Sequence, residues 1–182
     1  MTQSQKFLSK DAFPTDVEDD INAMVRVNLA GEESAVTIYE GQYQALEDDP
    51  IASTILEMKV HEEGHCAAFR AWTKRTHARP SLFGIMWKIA GRALGYVAGV
   101  LGPSYAMAQT EAVEAVIEEH YAEQIRISAP GEFRNLLIKC QAEEAEHKHL
   151  GATMRKHSLS LEAWMLLTRL GTRLAIKVAK RI

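Results

Sequence analysis

His61-Glu62-Glu63-Gly64-His65 and Glu143-Glu144-Ala145-Glu146-His147 are the two stretches that decide the reading of this 182-residue chain. Each contains Glu-x-x-His, as Glu62/His65 and as Glu144/His147, and the second copy follows the first by 82 residues. Three residues is close to one helical turn, so on a helix the carboxylate and the imidazole of each copy share a face. The same shift carries Glu32 onto Glu114, each thirty residues before the glutamate of its own copy. It also carries Tyr39 onto Tyr121 and Gln42 onto Gln124. Glu33, Glu63, Glu118, Glu119, Glu143 and Glu146 find no acid at the shifted position. The repeat therefore selects Glu32, Glu62, His65, Glu114, Glu144 and His147 from a much larger set of acids and histidines.

Working outward, each selected residue lies on an otherwise apolar helical stripe. Around Glu62 and His65 the stripe reads Ile55, Met58, Phe69, Trp72; around Glu144 and His147 it reads Leu137, Cys140, Gly151, Met154. Glu32 lies between Val25 and Tyr39, and Glu114 between Met107 and Tyr121, at the same spacing. Apolar residues recur every three or four positions throughout, with no alternating strand pattern. Pro14, Pro50, Pro80, Pro103 and Pro130 fall between these periodic segments, where the missing amide hydrogen does no harm. Thr15 and Glu18 form a capping-box pattern after Pro14. The expected helices span about 16–48, 52–77, 82–101, 104–128, 131–157 and 160–180, after a flexible N-terminal segment at 1–14. Short links join the first two and the fourth and fifth, while the third must cross over. The expected fold class is all-α: one ferritin-like domain, a four-helix bundle with a long crossover helix and an extra C-terminal helix.

Four glutamates and two histidines converging inside one bundle demand a counter-charge, because isolated buried carboxylates cost many kcal/mol or take up protons. Two divalent cations would neutralise the four carboxylates. One Glu from each of two helices plus Glu-x-x-His from each of the other two is the donor arrangement of di-iron and di-manganese carboxylate bundles. Oxygen and imidazole donors without thiolate suit iron or manganese and argue against structural zinc. His61-Glu62-x-x-His65 also spells the zinc-protease pattern, with His61 and His65 on zinc and Glu62 activating water. That reading leaves Glu32, Glu114 and the second copy without a role, so His61 is expected either in solvent or behind a ligand. Tyr39 and Tyr121 either hydrogen-bond the ligands from behind or pack in the core. Gln42 and Gln124 are expected at the helix surface or between helices.

The composition is that of a globular domain, 47% apolar and 25% charged with a net charge of −3, and gives no sign of nucleic-acid binding. The first fourteen residues lack the apolar core of a secretory signal. Cys66 and Cys140 are too few for a disulfide framework, fit a reducing compartment, and are expected as buried hydrophobes. Charge is unevenly placed. From Gly64 to Thr110 there is no acid but six basic residues, among them Arg70, Lys88 and Arg92; from Ala163 there are five basic residues and no acid. The segment 82–101 is long enough to span a membrane, but Lys88 and Arg92 near its middle make spanning unfavourable. Gly91, Gly95 and Gly99 give it one small face for close helix packing. Arg169, Arg173, Lys177 and Arg181 recur every four residues opposite Leu166, Leu170, Leu174 and Val178. Such a helix either lies in a membrane interface or covers the bundle.

Ala30-Gly31-Glu32, Glu62-x-x-His65, Glu114, Tyr121-x-x-Gln124-Ile125-Arg126, Glu144-x-x-His147 and Gly171-x-Arg173-Leu174-Ala175-Ile176 together resemble the demethoxyubiquinone hydroxylase family, from about Ile21 to the C-terminus. The family pattern has Asp-His just before Ala-Gly-Glu, where this chain has Asn28-Leu29. The resemblance implies a di-iron monooxygenase of ubiquinone biosynthesis, with two iron ions per chain on the six residues above. It implies O2 and NADH as co-substrates and a polyprenylated benzoquinone or its quinol as substrate. Charge placement adds its own expectation: Lys88, Arg92, Arg169, Arg173, Lys177 and Arg181 face anionic headgroups and hold the protein peripherally on the cytoplasmic side of the inner membrane, as a homo-oligomer or within a ubiquinone-biosynthesis complex. A ferritin- or rubrerythrin-type iron oxidase or peroxidase is the alternative within the same fold.

Overall fold

In the computed structural model residues 15–180 are described, with side chains from Asp20 onward. The expected N-terminal segment, the Thr15/Glu18 capping box and Arg181 lie outside the residues or side chains described. Six helices follow in order: α1 (Thr15–Leu46), α2 (Ala52–Thr76), α3 (Gly84–Leu101), α4 (Pro103–Ile127), α5 (Glu132–Met154) and α6 (Leu159–Ala179). No strand occurs among the described residues. Within that range the prolines mark boundaries as expected. Pro50 sits in the α1–α2 turn, Pro80 follows α2, Pro103 is the first residue of α4, and Pro130 precedes α5. His77 closes α2 in the left-handed conformation (φ 55°).

Helices α1, α2, α4 and α5 form the bundle as two antiparallel hairpins, α1–α2 and α4–α5. The structure extends the internal repeat beyond the bundle. After each hairpin comes one more helix laid along the first helix of that hairpin, α3 on α1 and α6 on α4. Glycines explain the closeness of α3 to α1. A Cβ on Gly91, Gly95 or Gly99 would meet Ser34, Ile38 or Ala45 of α1, and one on Gly41 would strike the backbone of Arg92. The small face of the crossover helix is thus spent inside the subunit.

The fifth helix stops at Met154, three residues short of expectation. Arg155 turns extended there, and its guanidinium pairs with Glu111 and Glu162 while Ser158 caps α6 through Leu161 N–H. Two apolar clusters fill the bundle. One gathers Val25, Phe69, Tyr121, Phe133, Leu137 and Cys140; the other gathers Tyr39, Leu46, Ile51, Ile55, Met58 and Met107. Between them lies a polar layer.

Candidate metal centre

All six selected residues lie in that layer, and each is 3% exposed or less. Their donor atoms form two interlocking groups, Glu32–Glu62–His65–Glu144 and Glu62–Glu114–Glu144–His147, with the atoms of each group within 4.8 Å of one another. Glu62 and Glu144 belong to both. His65 Nδ1 lies 3.3 Å from Glu32 Oε2, 3.3 Å from Glu62 Oε2 and 3.1 Å from Glu144 Oε1. His147 Nδ1 lies 3.1 Å from Glu62 Oε1 and 3.3 Å from Glu144 Oε2. The local reason is helical spacing: each Glu-x-x-His turns its two donors inward from α2 or α5, and α1 and α4 each add one glutamate opposite.

Charge balance inside this layer is the central physical problem. Both oxygens of Glu62, both of Glu144 and His147 Nδ1 are buried without a hydrogen-bond partner. Burial, reinforced by the charge of Glu144, pushes the Glu62 and Glu114 carboxyls well above the usual carboxylate range. Burial alone would lower His65, but Cys140 and the carboxylates of Glu144, Glu32 and Glu62 raise it above the usual imidazole range. His147 is likewise raised in spite of burial, by Glu144 and Glu114. Burial opposes ionisation of Glu144 as well, yet His147 and His65 hold it down to about 2. A cation-free cluster must therefore retain protons, and these donor atoms fit two divalent cations that would displace them. The grouping that defines the zinc-protease reading does not form: neither metal-capable group contains His61.

The tyrosines cross between the halves. Tyr39 O–H donates to Glu114 Oε1 at 2.8 Å, and Tyr121 O–H donates to Glu32 Oε1. Each phenol is raised above its usual range by burial and by the carboxylate it serves. Each tyrosine also packs in a core cluster. Gln42 and Gln124 are buried inter-helix contacts. Gln42 Nε2 donates to Gln109 and to the Ala106 carbonyl. Gln124 exchanges two amide hydrogen bonds with Asn28, at 2.8 and 2.9 Å, and donates to His120 Nε2 at 2.9 Å. The Asn28 departure thus sits in a neutral amide network, with no hydrogen bond to the six donors. Both cysteines are buried and free, and burial raises both thiols, Cys66 to about 12, as inert core residues require.

Two residues near the centre are not singled out by the repeat. Glu143, an acid with no acidic counterpart, places Oε2 2.7 Å from His65 Nε2. His61, exposed at its edge, places Nδ1 3.1 Å from His147 Nε2. The signal in the sequence that could find Glu143 is its equivalence to His61 under the 82-residue shift.

A cavity of about 210 Å³ opens between α3 and α6 and reaches the carboxylates. Trp87 and Leu94 of α3, Ile38 of α1, and Ala175 and Ile176 of α6 make its walls apolar, and Glu32, Glu62, Glu114 and Glu144 form its floor. Outside this mouth the two helices expose Ile85, Met86, Ile89, Val97 and Val100, and Leu166, Leu167, Leu170 and Leu174. Four of their basic residues reach acids of α1 and α4. Lys88 lies 3.5 Å from Glu33, Arg92 3.6 Å from Glu40, Arg169 4.0 Å from Glu111 and Arg173 2.9 Å from Glu119. Four of the charges expected to face headgroups are therefore paired with α1 and α4 while remaining partly exposed, and Lys177 is exposed with no ion pair among the described residues. No helix among the described residues is long and apolar enough to cross a membrane.

Comparison with known proteins covers nearly all of the described residues. The profile described as ubiquinone biosynthesis protein COQ7 matches residues 19–179. The chain is 34% identical over 171 residues to the NADPH-dependent 3-demethoxyubiquinone 3-hydroxylase, mitochondrial, of Dictyostelium discoideum, covering 89% of this chain and 77% of that protein. It is 33% identical over 166 residues to the 3-demethoxyubiquinol 3-hydroxylase of Rhodospirillum rubrum, covering 89% and 78%. Against the human NADPH-dependent 3-demethoxyubiquinone 3-hydroxylase, mitochondrial, the identity is 33% over 172 residues, covering 89% and 78%.

Proposed function

The chain belongs to the ubiquinone biosynthesis protein COQ7 family, and we propose that it hydroxylates the ring of a demethoxyubiquinone-type polyprenyl benzoquinone with O2. The observation that carries the reading is the pair of interlocking, fully buried donor groups sharing Glu62 and Glu144. In it two iron ions would be held, one by Glu32 and His65, the other by Glu114 and His147, with Glu62 and Glu144 common to both. Bound iron supplies the redox chemistry that O2 requires. The protein's own part is to hold the donors, to fix Glu32 and Glu114 through Tyr121 and Tyr39, and to keep water from the floor of an apolar cavity.

That cavity suits a quinone ring better than a soluble iron substrate, which favours the hydroxylase over a ferritin- or rubrerythrin-type oxidase. Its mouth lies between the two helices with apolar outer faces, so the isoprenoid tail can remain in lipid while the ring reaches the carboxylates. We place the chain on the cytoplasmic side of the inner membrane as a peripheral protein held by α3 and α6. The reductant is a reduced nicotinamide. The resemblance implies NADH, whereas the names of the Dictyostelium and human relatives specify NADPH, and supplying each separately distinguishes them.

Protein from iron-replete cells should carry about two irons per chain, a number that follows from the two donor groups. Given reductant and the demethoxy quinone, it should add one oxygen atom derived from labelled O2. A single bound zinc, or iron-loaded protein whose O2 consumption is indifferent to the quinone, refutes the reading. Glu62→Ala or Glu144→Ala should lose metal. Glu63→Ala should retain it, because Glu63 is turned outward onto Lys59.

A further inference from the structure

The two halves of the centre match in nearly every respect. Each has its own glutamate, with a tyrosine hydroxyl of the opposite half behind it. Each shares Glu62 and Glu144, and each turns a histidine Nδ1 inward. Among the charged and imidazole groups the match fails at one pair of equivalent positions, 61 and 143; Cys140, which also acts on His65, has Met58 as its counterpart. Behind His65 stands a carboxylate, Glu143 Oε2 at 2.7 Å from Nε2; behind His147 stands an imidazole, His61 Nδ1 at 3.1 Å from Nε2.

We propose that Glu143 and His61 are positioning residues that make the two metal positions unequal, the one held by His65 being the tighter. The inference rests on the two-metal reading above. A histidine that binds metal through Nδ1 must carry its hydrogen on Nε2, and that hydrogen needs an acceptor. A carboxylate is a charged acceptor, and charge-assisted hydrogen bonds are roughly twice as strong as neutral ones. It fixes the ring orientation and makes the ligating nitrogen a better donor. Glu143 is restrained in that task, because its other oxygen lies 3.5 Å from Lys139 and only 28% of its side chain is exposed. An imidazole accepts only through an unprotonated nitrogen, so His61 serves in one tautomer only, on a solvent-exposed ring stacked near-parallel to His147. With the four glutamates, two histidines and two tyrosines matched, the charged difference between the two positions falls on this pair.

The test is a stepwise anaerobic titration of the metal-free full chain with Mn2+, read by calorimetry and by metal content after dialysis. Wild type should bind in two steps separated by about tenfold or more, the usual scale for removing a partner behind a metal ligand. Glu143→Gln, of unchanged volume, should weaken the tighter step by about that factor, while His61→Ala leaves this step alone and weakens the looser one. His61→Glu, which installs the carboxylate of the other half, should bring the steps together. Circular dichroism of each metal-free variant checks that it folds. Two metals binding wild type in equal steps, or a gap unchanged in Glu143→Gln and His61→Glu, overturns the inference and leaves the two-metal reading standing. Failure of wild type to bind two metals removes both.

Discussion

Adding one methyl group at Gly95 puts a carbon 2.0 Å from the Ile38 carbonyl oxygen and 3.0 Å from its Cα. Real Cβ contacts essentially never fall below 3.0 Å, so α3 must move about 1 Å from α1. Neither obstacle is the end of a flexible side chain; both are helix backbone. Overpacking of this kind costs about 1–3 kcal/mol, and the upper part of that range applies because Gly91, Gly99 and Gly41 lock the same interface. Against it stands the better helix propensity of alanine, a gain of about 0.8–1 kcal/mol. The net expectation for Gly95→Ala is a loss of about 1–2 kcal/mol, or roughly 2–8 °C in Tm for a domain of this size.

Gly64 supplies the control. It is also in mid-helix, but nothing lies within 4 Å of the position its Cβ would occupy. Gly64→Ala should therefore keep the propensity gain and raise Tm by about 2–4 °C. The assay is thermal unfolding followed by circular dichroism, with both variants at one fixed metal concentration because bound metal shifts Tm by mass action. Since α3 supplies the Trp87 and Leu94 wall of the cavity, Gly95→Ala should also raise KM for the quinone more than it changes metal content. Two substitutions of identical chemistry that shift Tm in the same direction would refute the claim that α3 is seated on α1 by its glycines.

Three further outcomes follow from the geometry. Burial and Lys180 hold the His120 imidazole down to about 4, against about 6.5 in the unfolded chain. The unfolded state thus takes up the extra proton as pH falls, and about 3 kcal/mol of stability should be lost between pH 7 and pH 4. His120→Gln should flatten that slope; an unaltered slope means another group carries it. Tyr39→Phe and Tyr121→Phe each remove a hydroxyl donor from a glutamate of the centre. Each should lower metal affinity by about tenfold with little change in fold, and equal affinity in wild type and variants contradicts the role given to the phenols. Ile89 and Leu170 are 66% and 54% exposed, and each is worth about 1–2 kcal/mol if buried in lipid. Ile89→Glu with Leu170→Glu should abolish vesicle binding, whereas charge reversal at Arg169 and Arg173 should act mainly on stability, and the opposite ranking shows that charge holds the membrane.

Sequence makes the bundle and its six buried donors legible because both depend on spacing within single helices. A three-residue step on α2 or α5 fixes which side chains share a face, and prolines mark the ends of α1 to α4. Relations between helices are harder to read. Lys88, Arg92, Arg169 and Arg173 form regular basic patterns that look outward when α3 and α6 are considered alone. Their acids, Glu33, Glu40, Glu111 and Glu119, lie on α1 and α4, more than fifty residues away for every pair. The crossing of Tyr39 to Glu114 and of Tyr121 to Glu32 is hidden for the same reason, since each tyrosine shares a helical face with the glutamate it does not bind.

Glu143 escapes the repeat for a different reason. Requiring identical residues at equivalent positions finds the charges that any two-cation site needs on both sides. The same requirement discards positions that share a task but perform it with different groups, and 61 and 143 form such a pair: each stands at hydrogen-bond distance from a histidine Nε2, one with an imidazole and one with a carboxylate. A duplicated chain that keeps its donors identical can still divide labour between two metals through the atoms one hydrogen bond further out. For that reason the departures from the repeat next to its matching members carry as much chemical information as the matches.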